Sequence, residues 1–247
     1  MTDKQKQFIE NNIDLIEQQK WEKFFRACPL GTGYFLHESG INFLQHVNYI
    51  RQEMFATSDI ESLVIPENID LVFANSFSNC LKLKQIELSA PIQLFDLFID
   101  APLFDTINIP DITVWLDSEL SPAFKTPINL VCNGQLIRDI EIPQNVPRIK
   151  NSCFRYCKSI ESLTLPESVK EVEPYSFSGC VNLKNITILN SNIQLKGLCF
   201  GYMDENVLIK FSGTKEQWKD ACDKDSFYLT YYTVHCTDGN IVKKKRK

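Results

Sequence analysis

Three segments of the chain share one order of apolar and polar positions: Ile60-Glu61-Ser62-Leu63-Val64-Ile65-Pro66, Ile137-Arg138-Asp139-Ile140-Glu141-Ile142-Pro143 and Ile160-Glu161-Ser162-Leu163-Thr164-Leu165-Pro166. In each, the apolar residues just before the proline alternate at period two, which predicts a short strand with one face buried. The proline ends the strand's hydrogen bonding, and in the first copy Glu67-Asn68 turns the chain. A Val or Ile follows three residues after the proline (Ile69, Val146, Val169) and again three later (Val72, Ile149, Val172). Then come a phenylalanine (Phe77, Phe154, Phe177) and, three residues on, a cysteine (Cys80, Cys157, Cys180). The period is 23 residues, from Pro143 to Pro166 and from Cys157 to Cys180.

Divergent copies keep the register at Leu83, Ile86 and Leu88, at Phe104, Ile107 and Ile109, and at Leu183, Ile186 and Ile188. Val47, Ile50 and Phe55 carry the second half of the motif without its strand. One unit cannot bury its apolar side alone, so the units must stack, and about six strand-bearing units exceed the ~3 that a solenoid needs. The expected product is one parallel sheet with strands near 63–65, 86–88, 107–109, 140–142, 163–165 and 186–188, faced by an opposite wall of Ile69, Val72 and Phe77 type. The residue before each phenylalanine is small (Ser76, Cys153, Ser176, Cys199), as close approach of coils requires. Cys80, Cys157 and Cys180 read as a ladder of small buried groups rather than reactive thiols.

The repeat fails in the middle and at both ends. Between Pro110 and Gly134 the spacing stretches, with Ser121-Pro122 and Thr126-Pro127 as breakers. Asn133-Gly134 between Ile128–Val131 and Leu136-Ile137 predicts a β-hairpin. This 110–134 insertion is either a worn repeat or a projecting loop used in binding. Asp3 to Ala27 places Phe8, Ile9, Ile13, Leu15, Ile16, Trp21, Phe24 and Phe25 on one or two amphipathic helices, stopped by Cys28-Pro29. A further short helix is expected over Gly40–Val47. These helices read as a cap, with a docking helix as the alternative. Trp218, Cys222, Phe227, Tyr228, Tyr231 and Tyr232 supply an aromatic cap at the far end. Lys243 to Lys247 form a basic tail, usually solvated, that also resembles an import signal or a phosphate contact.

Composition narrows the function. The 247 residues carry 26 basic and 31 acidic side chains, a net charge of −5, and five of the basic ones are the tail. An acidic body argues against a nucleic-acid surface. No apolar run approaches the ~18 residues of a membrane span, and the start is too polar for a signal peptide. Nine cysteines without a secretory signal fit a reducing cytoplasm. Cys153 and Cys157 lack a second pair at metal-ligand spacing, and no metal or cofactor is expected. The three histidines (His37, His46, His235) form no HxxxH or HExxH motif, and a Cys28–His37 pair lacks a third orienting group, so the chain reads as no enzyme.

The unit Cys-x-x-Ile/Leu-x-x-Leu-x-Leu/Ile-Pro-x-x-Val-x-x-Val/Ile-x-x-x-x-Phe-x-x-Cys resembles the BspA-like (Treponema pallidum type) leucine-rich repeats of bacteria, their phages and some protists. The resemblance covers about residues 46–213. A second match, Phe211-Ser212-Gly213-Thr214-Lys215-Glu216-Gln217-Trp218 with Thr233-Val234-His235-Cys236-Thr237-Asp238-Gly239, is similar to the segment that ends such arrays. The resemblance implies an α/β right-handed leucine-rich-repeat solenoid: a helical N-terminal module (1–45), the repeats (46–213), a C-terminal cap (214–242) and the tail (243–247). It implies an interaction module, with the sheet lining a concave surface.

Strand alternation turns Ser62 and Val64, Gln85 and Glu87, Thr106 and Asn108, Asp139 and Glu141, Ser162 and Thr164, and Asn185 and Thr187 outward onto that face. The face is expected to be one continuous polar strip with Glu87, Asp139 and Glu141 at its middle, either a merely soluble surface or the site for a protein bearing a basic patch. The expected function is an intracellular, cytoplasmic adaptor, scaffold or inhibitor of phage or bacterial origin. A cell-surface or virion-associated adhesin is the alternative, and an enzyme using the N-terminal module is the distant third.

Overall fold

The computed structural model describes residues 3–18, 20, 23, 24, 33, 43–94, 101–120, 127–204, 206–225 and 227–242, and the chain divides into two compact units, 1–123 and 124–247. Cys28, His37, residues 1–2, 19, 21–22, 25–32 and 34–42 of the 1–45 module and the 243–247 tail lie outside the described residues.

The N-terminal unit opens with helices α1 (Asp3–Asn11) and α2 (Ile13–Glu17) and a 3₁₀ turn at Phe43–His46. Phe8 meets the buried Phe24 edge to face at 5.3 Å. Strands β1 (Tyr49–Ile50), β2 (Ser62–Ile65), β3 (Leu71–Val72), β4 (Gln85–Leu88), β5 (Gln93–Leu94) and β6 (Thr106–Ile109) follow, then helix α3 (Ile112–Asp117) and β7 (Glu119–Leu120). The long strands β2, β4 and β6 pair in parallel, and the short strands β1, β3, β5 and β7 form a second parallel sheet. The two sheets are the two walls of each coil, as the alternation around Pro66 implied.

The C-terminal unit begins with the hairpin β8 (Asn129–Cys132) and β9 (Gln135–Leu136), paired antiparallel. Its turn residues Asn133 and Gly134 have φ of 50° and 73°, the left-handed geometry that the Asn-Gly pair anticipates. Next come β10 (Asp139–Glu141), β11 (Arg148–Ile149), β12 (Ser162–Leu165), β13 (Glu171–Val172), β14 (Asn185–Ile188), β15 (Gln194–Leu195) and β16 (Leu208–Phe211). Helix α4 (Lys215–Ala221), a 3₁₀ turn (Phe227–Tyr231), β17 (Thr233–Cys236) and β18 (Gly239–Ile241) complete it. The long sheet runs β10-β12-β14-β16-β17-β18, parallel up to β17, and the short one β11-β13-β15.

The expectation of one sheet through all six repeat strands is corrected by this pairing. Strands at 63–65, 86–88 and 107–109 belong to the long sheet of the N-terminal unit, and those at 140–142, 163–165 and 186–188 to that of the C-terminal unit. The hairpin explains the interruption: β9 reverses direction, and β10 starts a new parallel ladder with β12. Ile137 and Val146, at this ladder's first coil, are half-buried, whereas their counterparts Ile60, Ile69, Ile160 and Val169 are buried.

A third ladder runs through the phenylalanine turns. Phe55 stacks on Phe77 at 5.3 Å, and Phe177 lies between Phe154 (5.0 Å) and Phe200 (5.4 Å), all five fully buried. Each of Phe55, Phe77, Phe154 and Phe177 has a left-handed residue two positions before and two after: Glu53 and Thr57, Asn75 and Asn79, Ser152 and Tyr156, Tyr175 and Gly179. Those bends turn amide groups toward the next coil, so Phe154 and Tyr156 donate to the carbonyls of Ser176 and Ser178 at 2.7 and 2.9 Å. The small residue before the ring has a second use beyond space: Ser176 Oγ donates across the coil gap to the Lys150 carbonyl at 3.0 Å, as Ser76 Oγ does to Arg51.

The cysteine ladder stands as expected. Cys80 and Cys180 Sγ each donate to the phenylalanine carbonyl of the previous coil, Phe55 and Phe154, at 3.0 Å. Within the insertion, Asp111 caps α3 by accepting from the Thr113 and Val114 amides, and Val114, Trp115 and Leu116 are buried. Residues 111–120 are therefore a wider coil of the core, not a projecting loop.

Candidate protein-binding face

The outward positions of each long sheet form two columns, because parallel pairing keeps them in register. In the C-terminal unit the first column is Asp139, Ser162, Asn185, Leu208 and Thr233, and the second is Glu141, Thr164, Thr187, Lys210 and His235. Ser162 Oγ donates to Asp139 Oδ1, tying the first two strands at the surface. Arg138 and Glu161 pair one coil apart beside the first column. The surface grades from two carboxylates on β10, through short hydroxyl and amide side chains on β12 and β14, to Lys210 on β16. Three strand spacings separate the ends, about 14 Å.

The N-terminal unit presents Ser62, Gln85 and Thr106 beside Val64, Glu87 and Asn108. Asn108 Nδ2 donates to Gln85 Oε1 at 3.4 Å, and Val64 is half-exposed at 53%. Glu87 stands in the long sheet of the N-terminal unit, and Asp139 and Glu141 lie together on the first strand of the long sheet of the C-terminal unit. The pairing joins Asp139, Glu141, Thr164, Asn185 and Thr187 on one sheet and Gln85, Glu87, Thr106 and Asn108 on the other.

Leu208, Lys210, Thr233 and His235 were not anticipated on the face. The signal was present: Ile209 and Phe211 follow Ile186 and Ile188 at the 23-residue period.

The ladder thiols are buried in the coils. Burial pushes Cys153 up to about 12 and raises Cys157 and Cys180 further. Eight cysteines are free among the described residues, where no group of three His, Cys, Asp or Glu is placed to hold a metal ion. No helix among those residues is long and apolar enough to cross a membrane. At the C-terminal end Trp218 and Tyr232 are buried and Tyr231 is half-buried, and the Tyr232 hydroxyl donates to the Phe200 carbonyl at 2.9 Å.

Among solved structures, the chain is similar to a leucine rich cell surface protein from Faecalibacterium prausnitzii A2-165, with 19% identity over 72% of this chain and 54% of that one and a TM-score of 0.41. It is also similar to a leucine-rich repeat protein from Bacteroides ovatus ATCC 8483 (16% identity, 78% and 46% coverage, TM-score 0.39). A third is the pneumococcal vaccine antigen PcpA (12%, 81% and 85%, TM-score 0.25). The chain spans about half the length of the first two. No curated protein matches it significantly. The family described as BspA type Leucine rich repeat region (6 copies) matches residues 34–118 and 129–243. With its repeat, paired walls and stacked phenylalanines, the chain belongs to the BspA-type leucine-rich-repeat family.

Proposed function

We propose that the chain is a non-catalytic protein-binding module acting as an intracellular adaptor, scaffold or inhibitor, and that its partner docks on the outward columns of β10 to β17. The observation that carries this reading is the graded face: two registered columns, polar except at Leu208, on a parallel sheet, acidic at Asp139 and Glu141 and cationic at Lys210. Such a surface fits a partner with a basic patch over β10, since complementary potentials speed encounter and penalise a like-charged surface. The eight free cysteines support a reducing compartment.

The test is a comparative capture with wild type and with Asp139→Lys/Glu141→Lys as baits, read by mass spectrometry. A partner retained by wild type and lost by the variant supports the face, and equal capture by both moves the site elsewhere. Fractionation of the source cells decides between adaptor and adhesin.

A further inference from the structure

The C-terminal unit also holds a pocket of about 440 Å³ that the protein-binding reading does not use. One wall is a single face of α4 with its C-cap: Lys215, Trp218 and Lys219 fall at the i, i+3, i+4 spacing that lines up side chains on a helix, and the C-cap Cys222 follows. The opposite wall is Leu229 and Thr230 of the 3₁₀ turn with Ile241 and Val242 at the end of β18. The volume lies within the roughly 300–1,000 Å³ of small-molecule sites.

Its floor is apolar and its rim is cationic. Trp218 and Leu229 are buried, while Val242 is 75% exposed at the mouth. Lys215, Lys219 and Lys224 all line it, and none of the three forms an ion pair among the described residues. Asp223, the one lining carboxylate among the described residues, is engaged by backbone: it accepts from the Gly197 amide at 2.8 Å and from the Asp225 amide at 3.1 Å. Burial and Asp223 keep the Cys222 thiol protonated, with its pKa raised to about 12, so it adds no negative charge. In sequence, Val242 is followed directly by Lys243 to Lys247. Like charge makes such a basic run a poor occupant of a lysine-rimmed site.

We propose that this pocket binds a free single-chain anionic amphiphile, a medium- or long-chain carboxylate, with its hydrocarbon between Trp218, Leu229, Ile241 and Val242 and its carboxylate among Lys215, Lys219 and Lys224. Two terms set the affinity. Each buried methylene multiplies it about fourfold, and the charge-assisted contacts distinguish an acid from the alcohol of equal length.

The experiment titrates the full chain with hexanoate, octanoate and decanoate below their micelle concentrations, by calorimetry and by tryptophan fluorescence. The expected result is saturable 1:1 binding, tightening about 16-fold for each two methylenes. 1-Octanol should bind at least tenfold more weakly than octanoate. Lys219→Gln/Lys224→Gln should weaken octanoate at least fivefold, and Val242→Glu should abolish binding. All three residues are exposed, so circular dichroism should show the variants folded. No saturable binding, equal affinity for octanol, or variants that bind like wild type would each overturn the proposal. So would co-sedimentation with anionic-lipid vesicles in the absence of decanoate binding, which would assign the cations to a membrane surface instead.

Discussion

Phe177 is the position at which the stacked-coil account makes its sharpest energetic claim. Its ring is fully buried, lies 5.0 Å from Phe154 with planes 7° apart, and 5.4 Å from Phe200 with planes 19° apart. Phe177→Ala removes the ring from water-free surroundings and opens a cavity lined by both neighbours. Its own coil cannot collapse into the gap, because the Phe177 amide is held by the Cys199 carbonyl at 2.7 Å and the Gly179 amide by Gly201 at 2.8 Å. The expected loss is ~3–5 kcal/mol, the range for a buried phenylalanine that leaves its cavity. Two stacked pairs, each worth about 0.5–1.5 kcal/mol beyond area, argue for the upper half of that range. Urea unfolding followed by far-ultraviolet circular dichroism measures it. Leu81→Ala, at a leucine 60% exposed, serves as control with an expected change within about 0.5 kcal/mol. A loss under about 1 kcal/mol at Phe177 would refute the idea that the rings form the core of the stack.

In native thiol labelling, Cys80, Cys153, Cys157, Cys180 and Cys199 should be protected while Cys132 and Cys236 react first; rapid labelling of the ladder cysteines together would contradict their burial. Cys153 ionises near 12 when folded against a reference of 9.0, so its contribution to stability is whole below about pH 9 and is lost as the pH rises toward 12. Between those values the slope approaches ~1.4 kcal/mol per pH unit, and Cys153→Ala should flatten the stability curve by that share. Gly134→Ala should cost about 1–2 kcal/mol through its φ of 73° alone, since nothing lies near the added Cβ. Gly179→Ala should cost more, because at φ 77° the added Cβ also meets the Tyr156 ring at 2.4 Å; equal losses at the two glycines would contradict this packing. Asp139→Lys/Glu141→Lys should slow partner association about tenfold at low salt and leave circular dichroism unchanged, and an unaltered on-rate would remove the carboxylates from the encounter.

The long strands and the buried phenylalanines and cysteines were legible because each motif position faces the same neighbour in every coil. Leu63, Ile86, Leu163 and Ile186 therefore recur in one chemical type. The short strands were harder: β11 and β13 are two residues each, and only their inward Ile149 and Val172 carry a signal. Helix α3 went unread because Ile112-Thr113-Val114 is β-branched and favours strand locally, whereas burial of Trp115 and the Asp111 cap decide in favour of helix. The division into two long sheets was hidden for a different reason. The Asn133-Gly134 hairpin was readable, but its effect on the direction of pairing depends on partners distant in sequence. The lysine-rimmed pocket had no local signature either, since α4 and the 229–242 segment meet only through the fold.

The central functional claim is that the face of β10 to β17 takes a protein partner, and site-specific photo-cross-linking tests it most directly. A photoreactive residue is placed at Thr164 or Thr187 on that face, and for comparison at Gln85 and Thr106 of the N-terminal sheet, and the chain is irradiated in its own cells. The account predicts one and the same protein adduct from Thr164 and Thr187, lost when Asp139 and Glu141 are changed to lysine. No adduct from either position, with a specific adduct from Gln85 and Thr106 that survives the lysine changes, would contradict it.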